Sequence, residues 1–335
     1  MVAHLRPAVT VAALLIAAAC GGGGSGPGAG PADRPVRFGF WGDTPYSGAE
    51  AQAVVSLVDQ MNGADLDLAV FIGDIFGGPC ENRDYTAARD VFARFEAPLV
   101  YVVGDNEWTD CHPTGRDPIE RLSHVRRTMF ASTRSFGREA LDLDQQRPGY
   151  PENGRWRVGL VRFISLHVVG SNNNHIADPD VEEVGTPRGA ADRRAAEDEY
   201  RLRDEANRRW LAEGFALAGR ERAPVVVVAI HADPRFGVPP AERAARRADG
   251  FDAFLGALVP EVRAFGQPVV LIHGDSHRFV HDQPLLDWAT GESVPNLTRI
   301  ETFGSPDVGW VEVVVDPRQP DRPRVDAHLV GSFPN

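Results

Sequence analysis

The chain has 335 residues, of which 43% are hydrophobic and 24% are charged, and its formal net charge is −12. This composition is typical of a folded protein with a sizeable core and excludes disorder of the whole chain. The negative charge argues against a nucleic acid as partner, because nucleic-acid-binding proteins usually carry a clustered basic face. The sequence contains no lysine, so any charged contact with an anion would come from an arginine or a histidine.

The N-terminal residues have the pattern of a secretory signal. A basic start precedes an apolar run that ends in three alanines before Cys20, and this run is too short to span a membrane. Small residues before a cysteine, followed by a Gly-rich stretch, resemble the bacterial lipoprotein pattern. We therefore predict a signal peptide over residues 1–19, lipidation of Cys20, and a flexible tether over residues 20–35 that anchors the exported protein to a membrane of the cell envelope. A soluble, secreted protein cleaved nearby is the alternative.

Two further cysteines follow the N-terminal segment, Cys80 and Cys111. An even number of cysteines in an exported chain predicts a disulfide between them. Each follows one of the motifs described below, so the bridge would join two loops of the predicted site. Two unrelated buried thiols are the alternative.

From residue 36 onward, short apolar runs alternate with longer amphipathic stretches, which is the pattern of βαβ units and a largely parallel sheet. Three early runs end in a Gly-Asp pair, so that Asp43, Asp74 and Asp105 recur at intervals of 31 residues. Each interval has room for one crossover helix, and neighbouring parallel strands would bring the three carboxylates to one sheet edge. The predicted elements are strands at 36–41, 66–72 and 98–103 and helices at 49–61 and 85–95.

In the second half of the chain, histidines take the place of aspartates at strand ends. One apolar run leads into His231, and the next leads into the sequence HGDSH, which contains Asp275 and His277. The predicted elements are a long strand at 158–169, a charged helix at 191–217, and strands at 225–230, 269–272, 299–303, 310–315 and 325–330.

Carboxylates and imidazoles at converging strand ends predict a dinuclear metal site. Two ions about 3.5–4 Å apart repel each other, so a shared carboxylate usually bridges them. Asp74, on the middle of the three early strands, is the predicted bridge, with Asp43 on one ion and Asp105 on the other. A single Gly-Asp pair is more often a turn or helix cap, but the ordered set favours a metal site. The predicted ligands are Asp43, Asp74, Asp105, His231, Asp275 and His277.

This ordered set resembles the motifs of the calcineurin-like metallophosphoesterases. Members of that family carry, in order, an Asp-x-His or Asp-x-Gly, a Gly-Asp, a Gly-Asn-His-Asp/Glu, an isolated His and a Gly-His-x-His. Gly42-Asp43, Gly73-Asp74, His231 and His277 match these motifs. The resemblance implies that residues 36–335 form one catalytic domain of the α/β class. In that domain two sheets form a sandwich flanked by helices, the metal site lies between the sheets, and the three last strands belong to the second sheet.

The chain departs from the family at several ligand positions. Pro45 stands where many members have a second ligand in the first motif, and Tyr46 is the next side chain able to approach an ion. Asp105 and Asp275 replace a neutral Asn and a neutral His. Four aspartates and two histidines favour two harder ions, such as Mn²⁺, Fe²⁺/Fe³⁺ or Mg²⁺, with Zn²⁺ a further candidate.

The leading hypothesis is an exported hydrolase in which a metal-bound hydroxide attacks a small phosphomonoester or phosphodiester. Asn106 replaces the His that assists catalysis in the family. The candidate phosphate contacts, each of which would alone be more often a surface or turn residue, are Asn106, His112, Asn172, Asn173 and a loop arginine such as Arg116 or Arg134. His112, in the same loop as Asn106, is the candidate replacement acid. A surface lipoprotein whose metal site only stabilises a binding domain is the alternative. A serine hydrolase is disfavoured, because the sequence contains no Gly-x-Ser-x-Gly elbow.

Overall fold

The computed structural model describes residues 34–176, 188–238, 242–243, 249–287 and 289–334. The predicted signal peptide, Cys20 and nearly all of the predicted tether lie outside these ranges. Within them, two large sheets form the centre of the molecule and helices cover their outer faces.

The first large sheet has five strands in the order β14-β13-β1-β2-β3. Its three Asp-bearing strands are parallel neighbours, and β2 lies between the other two, as predicted. Its strands are β1 (Val36–Trp41), β2 (Leu68–Phe71), β3 (Leu99–Tyr101), β13 (Asp307–Val315) and β14 (Arg324–Ser332).

The second large sheet has seven strands in the order β4-β5-β6-β7-β8-β12-β9, of which β6, β7, β8 and β12 are parallel. A two-stranded sheet pairs β10 (Leu286–Asp287) with β11 (Glu292–Ser293). The strands of the seven-stranded sheet are β4 (Asp144–Gln146), β5 (Tyr150–Val158), β6 (Val161–Ser165), β7 (Val226–Ala229), β8 (Val269–His273), β9 (Val280–Asp282) and β12 (Leu297–Glu301).

Helices cover the outer face of each sheet and begin at residues suited to helix starts. The Ser47 side chain accepts the N–H of Glu50 at the start of the first helix, and Asp117 caps the third. The helices on the first sheet are α1 (Gly48–Gly63), α2 (Asn82–Phe92) and α3 (Pro118–Met129), and those on the second are α4 (Ala190–Glu221) and α5 (Asp252–Phe265). None of the helices in the described ranges has the length and apolar character needed to cross a membrane.

The inner faces of the two sheets pack against each other in a shared core of buried aliphatic and aromatic residues. Phe38 of β1 meets Phe163 of β6 edge to face, with ring centroids 5.3 Å apart. The sandwich flanked by helices that the motifs implied is therefore confirmed.

Two details of the predicted architecture are wrong. The long strand expected at 158–169 is shorter, since only β6 (Val161–Ser165) is a strand within this range. Val158 is the last residue of β5, and Gly159, with a positive φ of 54°, turns the chain back so that β6 pairs antiparallel with β5. The strands β13 and β14 belong to the first sheet and not to the second, since β13 pairs antiparallel with β1. Only β12 of the three late strands lies in the second sheet.

The predicted disulfide joins Cys80, in the loop after β2, to Cys111, in a short 3-10 helix (Thr109–Thr114) after β3. Both cysteines are buried. Because the bridge closes a loop with a sequence separation of 31, it should contribute about 3–4 kcal/mol to the free energy of unfolding by the chain-entropy estimate. It ties together two loops that carry candidate metal ligands.

Candidate metal centre

The six predicted ligands converge at the carboxyl ends of strands from both sheets. Ligand atoms of Asp43, Asp74 and His231 lie within 4.8 Å of one another, and so do those of Asp105, His231 and Asp275. The Nε2 atom of His277 lies 3.5 Å from Asp43 Oδ1. The structure therefore brings together side chains that are up to 234 residues apart in the sequence.

Sharp turns at the strand ends aim these side chains into the centre. Asp43, Asp74, Asp275 and His277 have positive φ angles of 54°, 61°, 76° and 62°. Such left-handed conformations cost roughly 1–2 kcal/mol per residue and cluster at functional sites. Gly73 lets the second of these turns form, because a Cβ there would lie 2.6 Å from His231 Nδ1.

Both histidines are oriented by backbone carbonyls. The Nδ1 atom of His231 donates to the Ile72 carbonyl at 2.7 Å, and that of His277 donates to the Ser305 carbonyl at 2.6 Å. These bonds turn Nε2 of His231 towards Asp105 Oδ1, 3.0 Å away, and Asp74 Oδ1, 3.4 Å away. A backbone hydrogen bond on one ring nitrogen, with the other nitrogen facing carboxylates, is the usual setting of a metal-bound histidine.

The electrostatics of the cluster favour bound cations. Burial, together with neighbouring carboxylates, raises the pKa of Asp43 and Asp74 well above the usual aspartate value and raises the pKa of Asp275 to about 7. The pKa of His231 also rises well above its usual value, because the attraction of Asp74 and its neighbours outweighs burial. Carboxylates brought this close without a balancing charge are costly to ionise, and divalent ions would supply that charge.

The donor set also fits such ions. Carboxylate oxygens and imidazole nitrogens bind Mn²⁺, Fe²⁺/Fe³⁺, Mg²⁺ and Zn²⁺, and the excess of carboxylates favours the harder ions of this group. The two clusters share His231, and His277 lies beside Asp43, so the six side chains together could supply ligands to two ions.

Asn106 and Tyr46 form a neutral hydrogen-bonded pair beside Asp74. The Tyr46 hydroxyl donates to Asp74 Oδ2 at 2.7 Å and accepts a bond from Asn106 Nδ2 at 3.0 Å. The backbone N–H of Asn106 donates to Asp74 Oδ1 at 3.0 Å. Tyr46 also contacts the His277 ring edge to face. The structure thus places Asn106 beside the candidate ligands. It also places Tyr46 there, the side chain after Pro45 that the sequence predicted could approach an ion.

Glu107 supports the centre behind Asp74, and the residues predicted from the sequence do not include it. Its fully buried carboxylate accepts the backbone N–H of Asp74 at 3.0 Å and the hydroxyl of Tyr101 at 2.8 Å. These bonds hold the turn that presents Asp74. The available signal was its place in Gly-Asp-Asn-Glu, where it matches the last residue of the family's third motif.

A left-handed turn after β6 closes one side of the centre. Four consecutive residues, 171–174, have φ angles of 47°, 52°, 56° and 61°. The turn lays the backbone of Gly170 against Asp105 and Asp275, and a Cβ on Gly170 would lie 2.6 Å and 2.4 Å from their carboxylate oxygens. The run Gly-Ser-Asn-Asn-Asn is the sequence signal for this turn, since asparagine tolerates left-handed conformations.

The remaining predicted contacts lie in supporting positions. Asn172 Oδ1 accepts the N–H of Gly250 at 3.0 Å, and Asn173 Nδ2 donates to the Gly250 carbonyl at 3.0 Å, so both amides hold protein loops together. His112 lies in the 3-10 helix, directly after the disulfide-bonded Cys111.

No protein-family model matches the sequence, and no curated protein matches it. The fold is similar to the solved structure of PhoD, with a TM-score of 0.55 and 14% identity over 88% of this chain and 68% of that one. It is also similar to a dimetal phosphatase from Danio rerio, with a TM-score of 0.51 and 15% identity over 90% of this chain and 98% of that one. Identities this low establish the fold alone. The chain therefore has the metallophosphoesterase fold, as its motifs implied.

Proposed function

We propose that this protein is a metal-dependent hydrolase of small phosphate esters that holds two ions with the six converging ligands. The observation that carries the proposal is the convergence of buried carboxylates and oriented imidazoles at the strand ends of this fold. Two such ions would supply positive charge to the phosphoryl group and activate a water molecule. The similarity to a dimetal phosphatase supports the same reaction class.

The geometry supports a division of ligands between the ions. His231 faces Asp105 and Asp275, whereas His277 faces Asp43. Because each imidazole offers a single Nε2, we assign the two histidines to different ions. Asp74 contacts His231 and shares a cluster with Asp43, so its carboxylate is the bridging ligand in our proposal.

Asn106 would bind the substrate. One N–H of its amide donates to Tyr46, and the second can donate to a phosphate oxygen. A neutral amide cannot deliver a proton to the leaving group, so departure of poor leaving groups would need another acid. His112, pinned in the same loop by the disulfide, remains the candidate.

Metal-loaded protein is expected to hydrolyse 4-nitrophenyl phosphate esters and to lose this activity on chelation. If His112 is the acid, His112→Ala should slow alkyl phosphates by roughly 10²–10⁴-fold and nitrophenyl esters far less, because nitrophenolate leaves without a proton. Steady-state kinetics on matched alkyl and nitrophenyl esters measures the difference. Equal slowing of both, or none, would exclude His112 from this role. Bound metal without turnover of any ester would instead favour the binding lipoprotein.

We also propose that the protein is exported and anchored through a lipid on Cys20. The disulfide between Cys80 and Cys111 supports an oxidising compartment. The run of alanines before Cys20 and the Gly-rich stretch after it support cleavage and lipidation at this cysteine.

Cys20→Ser is expected to abolish lipidation and to release the protein from the membrane fraction. Mass spectrometry of the mature N-terminus and membrane fractionation in a bacterial host that processes lipoproteins measure both effects. Normal processing and membrane association of Cys20→Ser protein would contradict the anchor.

A further inference from the structure

The charge of the centre points to a substrate class. We infer that it prefers phosphodiesters, which carry one negative charge, over phosphomonoesters, which carry two at neutral pH. This inference rests on the proposed function and narrows it.

The candidate ligands carry more negative charge than the family's motifs would. When ionised around two divalent ions, the four carboxylates would carry four negative charges, which equal the positive charges of those ions; they are Asp43, Asp74, Asp105 and Asp275. In the resembling motifs, neutral side chains stand at the positions of Asp105 and Asp275. With two divalent ions, a centre with those neutral ligands would keep an excess of positive charge, whereas this centre would keep none.

Burial makes these charges effective. Asp43, Asp74 and Asp105 are at most 6% exposed, and the Asp275 side chain is 25% exposed. The Glu107 carboxylate lies fully buried behind Asp74. Charges in such surroundings are poorly screened, so they act strongly on a ligand a few ångströms away. The second charge of a monoester would therefore be repelled more here than in a centre with two fewer carboxylates.

Neutral groups occupy the side of the centre next to Asp74. Tyr46 and Asn106 offer hydrogen bonds without positive charge. Arg188 and Arg203 bind protein oxygens beside the centre: Arg188 donates to Thr109 and Arg203 donates to Asn173. An arginine fork is the usual partner of a phosphate dianion, and here these guanidinium groups are directed to the protein itself.

The test uses two esters with the same leaving group, methyl 4-nitrophenyl phosphate and 4-nitrophenyl phosphate. We expect kcat/KM of the metal-loaded protein to be at least about tenfold higher for the diester. A binding measurement without turnover accompanies it: at a pH well above neutral, where orthophosphate is a dianion, calorimetry should show that dimethyl phosphate binds more tightly than orthophosphate.

Two variants test the cause. Asp105→Asn and Asp275→His restore neutral ligands. Each should lower the ratio of kcat/KM for the diester to kcat/KM for the monoester by about tenfold. Each should also raise the affinity for orthophosphate relative to dimethyl phosphate by about tenfold. Asp198→Asn is the matched control, because Asp198 lies 74% exposed on α4 and its removal changes the net charge equally. It should leave both ratios unchanged. Metal content is measured for every sample, and ratios are compared only between samples holding two ions.

A higher kcat/KM for the monoester, or tighter binding of orthophosphate than of dimethyl phosphate, would overturn the inference. Equal shifts in Asp198→Asn and Asp105→Asn would overturn the assignment to the local carboxylates. If neither ester is hydrolysed, the proposed function fails, and the comparison of the two anions still decides the charge preference.

Discussion

Asp74→Asn is expected to cost the protein both metal ions, whereas Asp43→Asn and His231→Ala should each cost mainly one. Asp74 lies in the turn after β2, the middle of the three parallel strands that lead to the aspartates, and belongs to the same cluster as Asp43. Its Oδ1 lies 3.4 Å from His231 Nε2. Substituting a bridging carboxylate by an amide removes the charge that holds two cations close together, and we expect affinity for each ion to fall by at least about 100-fold.

Elemental analysis after dialysis measures the number of metal ions bound per chain. Esterase activity should fall when either ion is lost, because the proposed reaction needs both. Asp198→Asn, which removes an exposed carboxylate on α4, is the control and should keep full occupancy. Full occupancy of both sites in Asp74→Asn would show that another group bridges the ions.

Gly170→Ala is expected to disrupt the centre without unfolding the domain. The added methyl group would lie 2.4 Å from Asp275 Oδ1 and 2.6 Å from Asp105 Oδ2, so both carboxylates must move. The backbone of Gly170 does not take a positive φ, so alanine can adopt its conformation. The cost therefore falls on ligand geometry, and we expect the affinity for a metal ion at the proposed site of Asp105, His231 and Asp275 to drop by about 10–100-fold.

Metal titration followed by calorimetry measures the loss, and thermal unfolding of the metal-free protein shows whether the fold survives. Gly256→Ala is the matched control, since a Cβ on this residue of α5 would meet nothing within 4 Å. It should keep both ions and gain up to about 1 kcal/mol of stability, because alanine favours helix. Equal metal affinity in Gly170→Ala and wild type would show that the turn does not position the carboxylates.

The sequence by itself was sufficient to predict the parallel Asp-bearing strands and the residues that converge. Asp43, Asp74 and Asp105 each follow an apolar run at equal spacing, and a chain with such spacing forms βαβ units whose strand ends meet at one edge. The positions of His231 and Asp275 after two further apolar runs obey the same rule in the second sheet. These predictions succeed because strand periodicity and the right-handed crossover depend on local sequence and simple topology.

Only the tertiary structure decided which sheet receives β13 and how the centre is supported. The pairing of β13 with β1 joins segments more than 250 residues apart, and the apolar pattern of β13 would suit either sheet. Likewise, the backbone N–H of Asp74 donates to Glu107, and the backbone of Gly170 packs against two carboxylates. Each of these contacts joins loops whose sequences do not predict that they lie together. Such contacts depend on the packing of the whole sandwich, because a side chain's partners are set by the distances between elements and not by its neighbours along the chain.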